Sequence, residues 1–131
     1  MIVTLTLNPS LDRAIEVERL VRGDVIRATS ARLDPGGKGA NVSRALLANG
    51  VASCVVLPCG ADEGGELLSL VRGEGVDVRT VPIAGRTRSN ITLVEPDGTK
   101  VNEPGPVLSA AGAKGADALA EGLAWGAAAV R

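Results

Sequence analysis

Pro35-Gly36-Gly37-Lys38-Gly39-Ala40-Asn41-Val42-Ser43-Arg44-Ala45 sets three glycines in four positions, one cation and one amide against the start of a helical pattern. Glycines without a Cβ let the main chain turn sharply and approach a ligand closely. In residues 41–49 that follow, Val42, Ala45 and Leu46 recur at helical spacing, so the first turn offers unpaired N–H groups and a positive dipole end to an anion. Lys38 adds a full charge at the same mouth, and Asn41 stands where a helix cap is expected. The combination suits a phosphorylated small molecule. Two better-known phosphate loops do not fit. A P-loop needs G-x-x-x-x-G-K-[ST], but position 32 is arginine and Lys38 is followed by Gly39. A dinucleotide fingerprint needs a third glycine where Val42 stands.

Outward from this stretch, strand and helix signals alternate, as in a parallel sheet flanked by helices. Residues 1–7 read as a first strand. Residues 14–20 and 24–33 alternate apolar and polar side chains, with Ile15, Val17, Val25 and Ile26 offset by Glu16, Glu18, Asp24 and Arg27, and so predict strands with one wet face. The first helix ends at Gly50, a good C′ residue, and 53–57 is a short buried-type strand before Pro58. A second helix is expected from 62 or 63 to 74, with Leu67, Leu70 and Val71 on one face. Residues 87–94 and 99–103 flank Pro96-Asp97-Gly98, a sequence that fixes φ and then frees it, which predicts a hairpin. From 108 to 125 the pattern is helical, weakened at Gly112, Gly115 and Gly122. The chain is expected to end in a helix running toward a further strand at 126–131.

Composition narrows the function classes. Hydrophobic residues make up 45% of 131, as in a globular domain, while Trp125 is the only aromatic residue, so the core must be built from Leu, Val, Ile and Ala. Lys+Arg 14 against Asp+Glu 15 leaves a net charge of −1 and offers no basic surface for nucleic acid. No apolar run is long enough to span a membrane, nor does a signal-type segment open the chain, so a cytoplasmic protein is the default expectation. The absence of histidine excludes a Ser-His-Asp triad or a histidine metal site. Cys54 and Cys59, five apart, form neither a redox C-x-x-C pair nor a metal knuckle, and are expected as reduced structural thiols on opposite strand faces.

Three separated stretches resemble one family, the PfkB or ribokinase-like carbohydrate kinases, in the branch of 1-phosphofructokinase and tagatose 6-phosphate kinase. Thr4-Leu5-Thr6-Leu7-Asn8-Pro9-Ser10-Leu11-Asp12 resembles the family's first strand and sugar-binding aspartate. Residues 35–50 resemble its first signature, and Asn90 to Leu93 with Thr99 to Pro106 resemble its lid region. The resemblance implies an α/β fold, the N-terminal part (1–131) of a three-layer α/β/α sandwich, with a small β-sheet lid from strands within about 14–33 and 87–103. It implies transfer of the ATP γ-phosphoryl group, with Mg2+, to a phosphorylated ketose, and a homodimer formed through the lid.

Carried over by position, Asp12 is the sugar-binding carboxylate, Gly37 and Gly39 bring backbone N–H groups to the sugar, and Asn41 meets its hydroxyls. Lys38 and Arg88 are assigned to the existing phosphate. Arg27, Ser89 and Asn90 are weaker candidates, Arg27 as a cation reaching a partner's site. The lysine in the glycine loop favours fructose 1-phosphate, yielding fructose 1,6-bisphosphate, with tagatose 6-phosphate as the alternative. A later G-x-G-D segment, carrying the family's catalytic base and anion hole, is not among the 131 residues. The chain is therefore expected to hold no catalytic residue or metal ligand and to be inactive by itself. Two other classes stay open: a non-catalytic sugar-phosphate-binding or lid-pairing chain, and a Rossmann-type nucleotide binder.

Overall fold

The computed structural model describes residues 1–129, without the side chains of 122–129. Seven strands and three helices follow in the order β1 (Ile2–Leu5), β2 (Ser10–Glu16), β3 (Ser30–Gly36), α1 (Lys38–Ala48), β4 (Ser53–Cys59), α2 (Ala61–Gly73), β5 (Asp77–Pro82), β6 (Arg88–Val94), β7 (Thr99–Asn102) and α3 (Ala110–Ala129). They form two sheets. A parallel sheet has the order β1-β4-β5, and a mixed sheet has the order β3-β2-β6-β7.

The parallel sheet is covered on both faces. Val55, Leu57 and Cys59 alternate along β4 and join Leu67 and Val71 of α2, Ala40 of α1 and Val78 of β5 in one buried cluster. Full burial of each large aliphatic side chain here is worth about 1.5–3 kcal/mol. The intervening Cys54 and Val56, also fully buried, face the other way. On that side α3 crosses the strands, with Gly115 against Val81. The arrangement is a helix–sheet–helix sandwich, and it answers the expected α/β class.

Several boundaries differ from the sequence reading for physical reasons. β2 starts at Ser10 and ends at Glu16, rather than spanning 14–20. It pairs in parallel with β6 over its whole length, and Val17 gives its N–H to Val94 before the chain leaves the sheet. Residues 24–29 are not strand. Gly23 turns with φ 82°, Asp24 Oδ1 accepts the Val25 N–H, and Val25 is 85% exposed, so the alternation there has no sheet to face. β3 instead begins at Ser30 and runs into the glycine stretch, where Pro35 is tolerated because β3 is an edge strand.

β5 gives no strong pattern of its own, since only Val78 is buried among Asp77, Arg79 and Thr80. The hairpin forms as expected, with Ile91 opposite Val101 and Thr92 opposite Lys100. The terminal helix is longer than 108–125 suggested and contains 126–129, where a strand approach was expected; residues 130–131 and the Trp125 side chain lie outside the described residues. No helix among the described residues is long and apolar enough to cross a membrane.

Both cysteines are buried and free. Because β4 continues through Pro58 to Cys59, they do face opposite sides of the sheet. Burial pushes the Cys54 thiol up, and Asp77 adds to the effect. Burial also raises Cys59, an effect that the neighbouring Thr80 side chain and Arg72 partly offset.

Candidate functional site

The two sheets meet beside the glycine stretch, and the junction is a cavity of about 560 Å³. Its floor starts at the exit of β1. Thr6 Oγ1 accepts the N–H of Ala40 at 3.1 Å, the capping bond that the N-cap residue Gly37 has no side chain to make. The helix thus begins at Lys38, three residues before the expected start. Asn41 is not its cap: its own N–H already donates to the Gly37 carbonyl at 2.9 Å. The N–H groups of Lys38 and Gly39, in the first turn, have no carbonyl one turn earlier to meet.

Glycine is required here for two separate reasons. Gly37 has φ 125°, a region other residues avoid, and a Cβ there would lie 2.5 Å from Thr6 Cγ2. Gly39 has no such dihedral demand, but its Cβ would run into Thr6 Oγ1 and stand 2.9 Å from the Leu5 carbonyl. Close packing of α1 on the end of β1 is what brings its first turn to the cavity.

Asp12 projects from β2 on the opposite wall. The Ser10 hydroxyl donates to Asp12 Oδ1 at 2.7 Å, and Asn90 Nδ2 donates to the same oxygen at 3.0 Å and to Ser10 Oγ at 3.2 Å. Asp12 Oδ2 accepts no hydrogen bond from the described residues. Asn90 stands directly across from Asp12 in the parallel β2–β6 register, which is why these residues, distant in sequence, share one carboxylate oxygen. Among the described residues Asn90 Oδ1 is buried without a partner, and so is Arg88 Nε, an uncommon condition that a bound polar ligand would relieve.

Arg88 is held at its far end. Its Nη1 donates to the Glu103 carbonyl at 3.3 Å and its Nη2 to the Asn8 carbonyl at 3.2 Å. The segment after β7 wraps this side chain, with Gly105 at φ 82° and its Cα facing Asn8 Oδ1 and Arg88 Cδ. Lys38 makes no ion pair among the described residues and lines the same cavity.

Asp12, Gly37, Lys38, Gly39, Asn41, Arg88 and Asn90 therefore line a single cavity. Two weaker candidates do not. The Ser89 side chain alternates to the other face of β6, and its backbone N–H donates to Glu103 Oε2 at 2.8 Å. Arg27 lies with Glu18, Arg19 and Asp24 along a separate depression in the β2–β3 connection, away from the cavity of its own chain. Ser10 and Asn8 were not singled out. Ser10 carried a readable signal, because residues two apart on a strand share a face and Ser10 precedes Asp12 by two. Asn8, which acts through its carbonyl, carried none.

The profile of the pfkB family carbohydrate kinases matches residues 5–129. The chain belongs to the pfkB family. It is 39% identical to the 1-phosphofructokinase of Xanthomonas campestris pv. campestris over 122 residues, covering 90% of this chain and 38% of that one. It is 37% identical to the ATP-dependent 6-phosphofructokinase isozyme 2 of Mycobacterium tuberculosis (strain H37Rv) over 113 residues, covering 84% and 33%. The crystal structure of Escherichia coli phosphofructokinase-2 in complex with fructose-6-phosphate superposes with a TM-score of 0.84 at 31% identity, covering 90% of this chain and 40% of that one. The fold is ribokinase-like. The chain thus spans between a third and two-fifths of the length of these family members.

Proposed function

We propose that this chain supplies the acceptor side of a fructose-phosphate kinase, binding a ketose phosphate whose free primary hydroxyl receives the γ-phosphoryl group of ATP. The observation that carries the reading is a carboxylate with one oxygen saturated and one free, facing a cationic helix start across a single cavity. Asp12 accepts from sugar hydroxyls and fixes the ring, while the first turn of α1, Lys38 and Arg88 take the existing phosphate. Lysine offers a mobile point charge, while Arg88, its Nη groups each holding one backbone carbonyl, adds a fixed charge and the N–H donors that remain. Phosphoryl transfer relies mainly on positioning and charge neutralisation, and these residues serve the first of those needs.

Fructose 1-phosphate, giving fructose 1,6-bisphosphate, is the preferred acceptor, because Lys38 stands in the glycine loop. Tagatose 6-phosphate is the alternative. Overall identity does not separate the choices, since relatives named for the 1- and the 6-phosphofructokinase reactions match at 39% and 37%. ATP and Mg2+ belong to the proposed reaction of the whole enzyme. Among the described residues no group of three or more acidic or cysteine side chains gathers to hold a metal ion. Pairing through the mixed sheet in a cytoplasmic homodimer is part of the same proposal, supported by Val101 and Ile91, register partners on that sheet that stay exposed.

The 131 residues by themselves are proposed to bind acceptor without turnover, since the G-x-G-D segment implied for the family is not among them. Calorimetry of the chain with fructose 1-phosphate, fructose 6-phosphate, tagatose 6-phosphate and ATP tests the reading. Binding of a ketose phosphate that Asp12→Ala abolishes supports it; failure of all three sugar phosphates, or binding indifferent to Asp12→Ala, overturns it. A coupled assay with ATP and magnesium tests the second statement, and turnover within a hundredfold of a full-length relative would refute it.

A further inference from the structure

Arg44 sits one helical turn after Asn41, outside the cavity, and none of the roles above uses it. Its guanidinium bridges three elements. Nε pairs with Glu74 at the end of α2, while Nη1 is shared between the Pro35 carbonyl at the end of β3 and Asn41 Oδ1, each at 3.4 Å. Asn41 borders both the cavity and a neighbouring depression, whereas Arg44 borders only the depression. A guanidinium has donors and no acceptor, so the amide atom turned toward Arg44 must be the oxygen. The Asn41 Nδ2 group has no hydrogen-bond partner among the described residues, and the cavity is the other space that Asn41 borders.

We propose that Arg44 is a positioning residue that locks the Asn41 amide with its oxygen out and its NH2 into the cavity, so that the site meets its ligand there with a donor. Free rotation would let Asn41 offer either atom. With the oxygen engaged, the position favours a ligand oxygen acting as acceptor, such as a ring, carbonyl or phosphate oxygen, over a hydroxyl that must donate. Glu74 fixes the guanidinium from behind, and the Pro35 contact ties the same group to the strand that delivers Gly36 and Gly37. The ligand assignment rests on the reading of this cavity as a sugar-phosphate site, but the locking of the amide does not.

Two measurements test it. The first is 15N relaxation of the Asn41 side-chain amide in the ligand-free chain. The wild type should show a rigid NH2 group, Arg44→Met a mobile one, and Glu74→Ala, which removes the ion pair but spares the Asn41 contact, an intermediate one at a similar loss of melting temperature. Equal mobility in wild type and Arg44→Met overturns the proposal. Should Arg44→Met not fold, Arg44→Lys replaces it: a single ammonium kept at Glu74 cannot also reach Asn41, so mobility should rise. The second is calorimetry of Asn41→Asp with fructose 1-phosphate. Aspartate keeps a partner for Arg44 but offers no donor, so affinity should fall at least tenfold; affinity within threefold of wild type would mean the ligand needs an acceptor there and overturns the assignment. If the wild type binds no sugar phosphate, the proposed function fails, while the relaxation result still decides whether Arg44 locks Asn41.

Discussion

Gly36→Ala isolates the contact between the glycine stretch and Asp12. Gly36 ends β3 opposite Ser10, and its dihedrals are not of the left-handed kind, so alanine carries no backbone strain. What alanine adds is a methyl 2.5 Å from Asp12 Oδ2 and 2.6 Å from Oδ1, and in collision with Ser10 Oγ. Ordinary contact requires the carboxylate to retreat by roughly 0.5–1 Å. That retreat strains both bonds that orient it, from Ser10 at 2.7 Å and Asn90 at 3.0 Å. Hydrogen bonds to a charged group are worth about 1.5–3 kcal/mol each when made well, and overpacking costs about 1–3 kcal/mol; partial loss of both bonds with local relaxation gives a stability loss of about 2 kcal/mol. Losing one well-made hydrogen bond between the carboxylate and the sugar costs about 1.5–3 kcal/mol, so affinity for fructose 1-phosphate should fall by roughly ten- to a hundredfold. Gly65→Ala is the control. Nothing lies within 4 Å of a Cβ at that α2 position, so it should stabilise by about 0.5–1 kcal/mol and leave binding unchanged. Thermal melts and calorimetry on both variants decide the matter. Gly36→Ala binding within threefold of wild type would show that the carboxylate is not held where its hydrogen bonds indicate, or does not meet the sugar.

Lys38→Met should weaken fructose 1-phosphate binding by roughly tenfold while leaving any binding of unphosphorylated fructose unaltered, because the lysine is assigned to the phosphate; equal losses for both ligands would remove that assignment. Gly37→Ala should destabilise the chain by about 1–3 kcal/mol in a denaturant titration, from its φ of 125° and the clash with Thr6, and a midpoint equal to wild type would contradict the geometry. Cys54 and Cys59 should resist alkylation at neutral pH until the chain unfolds, since burial holds both thiols protonated. Because their folded values are raised above 9.0, their contribution to stability is full below about that pH and declines as pH rises past it; serine at both positions should flatten that alkaline decline.

How much of this was legible in the sequence depended on whether a residue's partners were local. The hairpin at Pro96-Asp97-Gly98 and the apolar face of α2 are short-range patterns, and each read correctly. The expected strand at 24–33 failed at its first half because alternation of side chains has meaning only where a neighbouring strand supplies a ladder, and Glu16 is the last β2 residue to do so. Asn41 looked like a cap because helix starts are judged by the nearest suitable side chain, whereas the bond at this start comes from Thr6, 34 positions away. In the sequence alone Asn90 carries less signal than Arg88 and no more than Ser89. Only the parallel register of β2 with β6, set by a crossover that no local pattern encodes, puts Asn90 on Asp12 and turns Ser89 away.

The same register explains why the site is shaped by the join between the two sheets. Thr6 leaves β1 of the parallel sheet and caps α1; six residues later Asp12 lies in β2 of the mixed sheet, and Pro9 with Ser10 makes the passage between them. Ser10 is 1% exposed, and its hydroxyl both donates to Asp12 and accepts from Asn90, so it ties the start of β2 to β6. A ligand that engages Asp12 Oδ2 and the first turn of α1 at once would bridge the mixed sheet to the parallel one.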